Sequence, residues 1–237
     1  MEPIPLKDLV TVVIPSKNEG WGLVKTLQTL SLQKDSLGLR VIIADCSDEP
    51  ESLSLVAKLP QIIPDLQLEC IPGGYPAQGR AAGAALVKTP YLLFLDADIL
   101  LLDRQVIRDC LHKTRQLTSV NFTTESGYNW IYQIFTFTQR LMRLCGSSFA
   151  IGGFQLFRTE IYHYTGGYDP SHRFAEDYWV SNRIHPYFFT LHHTTGVWTS
   201  ARRFRRKGLG YMLWVMVRCW WHRGNPKFYQ ESHGYWD

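Results

Sequence analysis

Residues 9–20 read Leu9-Val10-Thr11-Val12-Val13-Ile14-Pro15-Ser16-Lys17-Asn18-Glu19-Gly20, and their order decides the fold class. An uninterrupted, β-branched apolar run from Leu9 to Pro15 predicts a strand covered on both faces, because a strand with one wet face would alternate. The run gives way to the polar stretch Pro15 to Gly20, after which Leu23, Leu27 and Leu30 recur at helical spacing. The reading is strand, loop, helix, and the unit repeats. Val41 to Ala44 stops at Asp45-Cys46-Ser47-Asp48-Glu49-Pro50, whose Asp, Ser and Pro suit a turn capping a helix over Leu53 to Leu59. Leu66 to Ile71 breaks at Pro72-Gly73-Gly74 before an alanine-rich helix over Ala77 to Val87, and Tyr91 to Leu95 then runs into Asp96-Ala97-Asp98. Such units predict an α/β fold: a Rossmann-like, mainly parallel central sheet flanked by helices. Ligands of these sheets sit beyond the carboxyl ends of the strands. Here those ends carry Asn18 and Glu19, Asp45, and Asp96 with Asp98.

The second half has another rhythm. Trp130 to Leu144 places Ile131, Ile134, Phe135, Phe137, Leu141 and Leu144 among Arg140 and Arg143, an amphipathic helix. Gly152-Gly153 leads into a strand over Phe154 to Phe157, Thr159-Glu160 opens a short helix ending at Gly166-Gly167, and Glu176-Asp177 starts another. Tyr187 to His192 reads as a strand, and Tyr211 to Trp221 as a Trp-rich helix.

Composition narrows the class. With 45% hydrophobic and 14% aromatic residues in 237, the chain can close a sizeable core and is not a disordered scaffold. Five widely spaced cysteines, with no Cys-x-x-Cys pair, fit neither a disulfide framework nor a zinc ribbon, so a reducing, cytoplasmic setting is expected. Met1 to Pro5 shows no basic region leading into an apolar stretch, so no signal peptide is expected. No apolar run reaches the ~20 residues that span a bilayer. Charge is uneven: residues 200–237 hold 8 Lys/Arg against 2 Asp/Glu, while the rest of the chain holds 17 against 19. The basic end therefore faces phosphates or acidic lipid headgroups. Nucleic acid is disfavoured, because the basic residues form one cluster and not a stripe interleaved with stacking aromatics. A basic flank followed by a Trp-rich apolar helix suits peripheral attachment at the inner face of a membrane; a helix covering the sheet is the competing reading.

Asp96-Ala97-Asp98 brings two carboxylates together at the end of a buried strand. They would repel unless a hard divalent cation offset the charge, and such a cation links them to a diphosphate. A polar turn is the plain alternative. At this point the chain resembles the family-2 glycosyltransferases of the GT-A fold, over about residues 10 to 205. Thr11 to Glu19 looks like the family's opening strand and loop, Val41 to Asp48 like its second strand, Gly79-Arg80-Ala81-Ala82-Gly83 like its arginine-bearing helix start, and Phe94-Leu95-Asp96-Ala97-Asp98 like its metal and ribose motif. The resemblance implies a nucleotide-diphospho-sugar donor held by Pro15, Asn18, Glu19, Asp45, Arg80 and Asp96, with Mn²⁺ or Mg²⁺ on Asp96 and Asp98. Asp45 is followed by Cys46 where the family often has a second acid, which leaves the base of the donor open.

Gly152-Gly153-Phe154, Gly166-Gly167-Tyr168-Asp169 and Phe174-Ala175-Glu176-Asp177 resemble the acceptor half of the same family, in which a carboxylate of the Glu-Asp pair is the general base. Asp177 is the candidate, with Glu176 its neighbour and Gly152 and Gly153 the acceptor loop. An acceptor hydroxyl must lose its proton as it attacks, and a positioned carboxylate can take it. Acids complementing a helix dipole are the structural alternative. Arg202 and Arg203 resemble residues set near the donor diphosphate, which leaves Arg205, Arg206 and Lys207 facing outward. His192 and His193 follow the last strand, where some relatives place a third metal ligand; a His pair is more commonly structural. The chain then divides into a GT-A domain over 1–200, with a nucleotide-binding half (1–98) and an acceptor half (99–200), and a basic, Trp-rich extension over 201–237. The expected activity is metal-dependent, inverting sugar transfer to a lipid, saccharide or small-metabolite acceptor. A non-catalytic membrane-surface protein with a relic nucleotide pocket is the alternative, and it has no physical need for Asp96, Asp98 and Asp177 together.

Overall fold

The opening strand forms as Val10–Ser16 (β1), preceded by one helical turn at Leu6–Leu9 (α1). The computed structural model describes residues 4–233, apart from the Arg203 side chain. Trp21–Ser31 (α2), Arg40–Asp45 (β2), Pro50–Ile62 (α3), Gln67–Pro72 (β3), Pro76–Ala84 (α4) and Tyr91–Leu95 (β4) follow in strict alternation. Next come Leu100–Leu101 (β5), Val106–Lys113 (α5), Leu117–Val120 (β6), Asn129–Leu144 (α6), Phe154–Arg158 (β7), Thr159–Tyr164 (α7), Glu176–Ser181 (α8) and Phe189–His192 (β8). Val197–Trp198 (β9), Arg202–Lys207 (α9), Leu209–Trp221 (α10) and Pro226–Gln230 (α11) complete the order.

Seven strands form one sheet in the order β3-β2-β1-β4-β7-β6-β8. β1 runs parallel to β2 and β4, β2 to β3, and β6 to β8; β7 alone is reversed, antiparallel to β4 and β6. The sheet is thus mainly parallel and flanked by helices. Residues alternate between two buried layers, as a doubly covered sheet requires. Val12, Ile14, Leu93 and Leu95 face the layer of α2, whereas Val13, Ile42 and Phe94 face that of α4 and α7. Gly83 lets α4 press onto the sheet: a Cβ there would lie 2.5 Å from Val13 Cγ1.

Three local expectations need correction. The helix read over Leu53 to Leu59 starts at Pro50, with proline preset in its first turn and no side-chain cap; Asp45 instead accepts from the Ser47 N–H and Oγ. The alanine-rich helix ends at Ala84, not Val87. The strand read from Tyr187 starts at Phe189, because Pro186–Phe188 first makes a 3₁₀ turn. The stretch read as an extension is built into the core: Phe204, Met212, Val215, Met216 and Tyr229 join the same buried cluster as α2. Tyr229 is fully buried and donates its O–H to the Cys219 carbonyl at 3.0 Å. Among the described residues, no helix is long and apolar enough to cross a membrane.

Candidate active site

The carboxyl ends of β1, β2 and β4 lie side by side, so the loops after them share one rim of the sheet. Asn18 fastens two of these loops. It adopts a left-handed φ of 54°, donates Nδ2 to Asp48 at 2.6 Å, and accepts the Asp48 and Glu49 N–H groups at 3.0 and 3.2 Å. Pro15 pairs with Ala44 across the strands, and Asp45 ends β2 with its carboxylate engaged by Ser47. Asn18, Asp45 and Pro15 therefore shape the rim, and Glu19 stands beyond them, 3.4 Å from the Arg202 guanidinium.

Arg80 is the hub. It sits inside α4, 3% exposed, and its guanidinium reaches Asp96 Oδ1 at 2.5 Å and Glu176 Oε1 at 2.7 Å. The Tyr168 ring lies 5.3 Å from its Cζ, a cation–π contact within the same buried cluster. Burial pushes the Tyr168 phenol well above its ordinary pKa, so it stays protonated and donates to Gln155 Oε1 at 2.6 Å. Gln155 in turn gives Nε2 to the carbonyls of Ala150 and Asp177. Burial likewise raises the Glu176 carboxyl, with Arg80 pulling against it and Asp177 adding to the rise.

The start of α8 aims the second acidic pair. Ala175 holds a left-handed φ of 44°, strained for a residue with a Cβ, immediately before Glu176 and Asp177. Asp177 Oδ2 accepts the Gly152 N–H at 2.8 Å and Oδ1 accepts the Tyr178 N–H at 2.8 Å, which fixes the carboxylate. Gly152 leaves little room for a side chain: a Cβ would stand 3.0 Å from Arg80 and 3.3 Å from Asp177, so one of them would have to shift. The neighbouring Gly153 carbonyl accepts the Asp96 N–H at 3.2 Å. One glycine pair therefore ties the Asp96 strand end to Asp177.

Two adjoining cavities open here. The larger, about 360 Å³, is walled by Asp96, Asp98, Gly153, Arg202, Arg206 and Lys207. Arg202 lies 3.3 Å from Asp98, and Arg205 is 3.4 Å from Glu125. Arg206 and Lys207 were expected to face outward, but residues 202 and 206 are one helical turn apart, so α9 brings Arg206 to the cavity with Arg202. The Arg203 side chain is outside the described residues. Glu125, which the sequence reading missed, anchors α9 by accepting the Ala201 N–H at 2.9 Å; no local motif marks an acid that acts across so many residues. The smaller cavity, about 90 Å³, is lined by Arg80, Asp96, Glu176 and Asp177 and by apolar side chains of α6 and α10.

His192 lies apart from both. Its Nδ1 is 3.0 Å from Lys113 Nζ, and burial, with Lys113, lowers its pKa. Neither His192 nor His193 lines either cavity. Among the described residues, no group of three or more His, Cys, Asp or Glu side chains could hold a metal ion alone. Asp98 with Asp96 suits a cation that fills its shell with substrate phosphates and water, as Mg²⁺ commonly does.

The model of "Glycosyl transferase family 2" matches residues 11–166. No curated protein matches the chain. Among solved structures, the mannosyltransferase PcManGT from Pyrobaculum calidifontis, in complex with GDP-Man and Mn²⁺, is similar at a TM-score of 0.67 and 18% identity, covering 88% of this chain and 64% of that one. S. aureus TarS 1-349 in complex with UDP-GlcNAc gives 0.63 and 15%, covering 81% and 58%. GalNAc-T7 with UDP, GalNAc and Mn²⁺ gives 0.50 and 18%, covering 80% and 44%. The chain thus spans less than two thirds of each of these proteins, and the likeness establishes a shared fold.

Proposed function

This chain belongs to glycosyl transferase family 2, and we propose that it moves a sugar from a nucleotide-diphospho-sugar donor to an acceptor hydroxyl in a single, inverting displacement. One observation carries the reading: Arg80 joins Asp96, at the donor end of the sheet, to Glu176, whose neighbour Asp177 stands at the adjoining cavity. Two acidic motifs far apart in sequence are thereby held at fixed separation.

Pro15, Asn18, Glu19 and Asp45 form the nucleoside rim, and Asp96 the ribose side of the site. Asp98, with Asp96, would hold Mn²⁺ or Mg²⁺, which when bound supplies charge neutralisation for a leaving diphosphate. Arg202, Arg206 and Lys207 add fixed positive charge on the same cavity wall, and charge placed where the leaving group develops its own favours departure. Arg80, buried in α4, positions Asp96 and Glu176 on the nucleotide side of the site. Asp177 takes the proton of the attacking hydroxyl, while Gly152 and Gly153 keep its approach clear. Glu176 is paired with the Arg80 cation, whereas Asp177 is oriented at the cavity by backbone N–H groups, and the role of base is assigned to Asp177. GDP- and UDP-sugars are the donors to try first, because the structural neighbours hold GDP-Man and UDP-GlcNAc.

The protein works at a membrane surface in this reading. α6 exposes Trp130, Phe137, Leu141 and Leu144 and α10 exposes Trp214, Val217 and Trp221, with Arg140, Arg143 and Arg218 between them. Aromatic and basic side chains in such alternation suit an acidic interface. A screen of nucleotide sugars for Mn²⁺-dependent hydrolysis and thermal stabilisation tests the donor assignment. Stabilisation by one nucleoside diphosphate family is expected, and none by any would overturn it.

A further inference from the structure

We propose that the acceptor is an alcohol carried on an apolar chain, and that the cavity between α6 and α10 receives the chain next to its hydroxyl. The assignment rests on the transferase reading above and names its acceptor class. Asp177 lines this cavity together with Phe135 and Met142 of α6, Met212, Val215 and Met216 of α10, and Phe149. Among the described residues its charged lining groups are Arg80, Asp96, Glu176 and Asp177, a cluster gathered by Arg80, which reaches Asp96 and Glu176. Apart from these, the described lining residues include no amide or aliphatic hydroxyl side chain, and the phenol of Tyr178 is bonded to Ser147 Oγ at 2.8 Å. A saccharide acceptor would leave its hydroxyl groups unpaired against this wall, and each buried polar group so stranded is costly. An alkyl or isoprenoid segment meets no such cost.

The wall also suits a chain of variable shape. Met142, Met212 and Met216 are flexible and polarisable, and methionine-rich surfaces adapt to irregular apolar ligands. A volume near 90 Å³ admits a few carbons beside the hydroxyl, not a whole lipid. The same two helices carry the exposed apolar residues of the membrane-facing surface, so a chain leaving the cavity can continue into lipid.

The chemistry balances. The acceptor O–H proton passes to the Asp177 carboxylate, the oxygen lone pair forms the new bond to the anomeric carbon of the donor sugar, and the bond from that carbon to the diphosphate breaks with its electron pair on the leaving nucleoside diphosphate. No other reactant is required.

The test uses the full chain and a series of n-alkanols from butanol to decanol, with binding read by saturation-transfer NMR and no donor present. Affinity should rise about fourfold per methylene, as burial of a CH₂ predicts, and level off once the cavity is filled. Val215→Trp should abolish the rise by filling the cavity, and Met216→Ala should move the plateau to longer chains, which decides the matter if the tryptophan variant does not fold. Affinity independent of chain length, or a plateau unmoved by Met216→Ala, overturns the proposal, as does equal competition by glucose. Supplying decanol free or within phosphatidylcholine–phosphatidylglycerol vesicles separates a soluble alcohol from a membrane lipid; either source upholds the class. A separate titration with Mn²⁺ and UDP or GDP keeps the two readings distinguishable. Nucleotide binding without alkanol binding removes the acceptor assignment alone, and alkanol binding without nucleotide binding removes the transferase premise and the acceptor role with it.

Discussion

Replacing Arg80 with Met tests whether one buried guanidinium holds the two acidic motifs together. The methionine keeps most of the side-chain volume and removes the charge, so the cost comes from what is left behind. Glu176 retains 7% of its side-chain exposure and loses its nearest cation, whereas Asp96, at 29%, remains partly hydrated. Breaking a buried pair by removing one partner costs about 3 to 5 kcal/mol, and here Glu176 carries most of it. For urea slopes of about 2 to 3 kcal/mol/M the midpoint falls by roughly 1 to 2.5 M. Adding Glu176→Gln to Arg80→Met removes the stranded charge and should recover about half of the loss. Equilibrium urea unfolding followed by tryptophan fluorescence measures both variants, and if the single variant does not fold, the double variant should. A loss below about 1 kcal/mol, or a double variant no more stable than the single one, would refute the account of Arg80 as the clamp.

Asp177→Asn should lower turnover by roughly 10²- to 10⁴-fold, the usual contribution of general acid–base catalysis, with nucleotide affinity nearly unchanged in calorimetry. His172 is 1% exposed, with Trp179 and Tyr229 rings 5.0 and 5.6 Å away, and burial lowers its pKa from 6.5. A depressed folded-state pKa contributes stability that is present above the unfolded value and lost as pH falls, so thermal stability should decline below pH ~6.5, and His172→Phe should flatten that decline. Serine at both Phe137 and Trp221 should weaken pelleting with phosphatidylglycerol-containing vesicles by roughly tenfold or more, since each aromatic contributes at least about 1.5 kcal/mol when buried.

The first half of the fold was legible because β1, β2 and β4 are buried on both faces and read as apolar runs, while β3, a partly exposed edge strand that carries Gln67 and Glu69, was marked by its position between turn residues; each lies within a residue or so of its expected position. β6 escaped notice because Thr118 and Ser119 interrupt its pattern, yet both are fully buried. Their hydroxyls are satisfied internally, Ser119 Oγ by the Phe154 carbonyl at 3.0 Å and Thr118 by Thr114 at 2.8 Å, so polarity in sequence did not mean exposure. In the site, Asp96-Ala97-Asp98 and Glu176-Asp177 were readable as motifs because each sits at an element boundary. The Arg80–Glu176 pair was not, since its partners are 96 residues apart and only the packing of α4 against the sheet brings them together. Arg206 illustrates a different miss: treating residues 202–207 as a charge cluster ignored the four-residue spacing that places Arg202 and Arg206 on one helical face.

In the proposed activity Asp98 and Asp96 bind a nucleoside diphosphate through a divalent cation. Calorimetric titration of UDP and GDP into wild type and Asp98→Ala, each with and without Mn²⁺, tests it most directly, with urea midpoints recorded alongside because Asp98 is partly exposed and outside the core. Mn²⁺-dependent binding by wild type is expected, with a loss of roughly tenfold or more in the variant at an unchanged midpoint. Equal affinity in the two proteins, or binding indifferent to Mn²⁺, would contradict it.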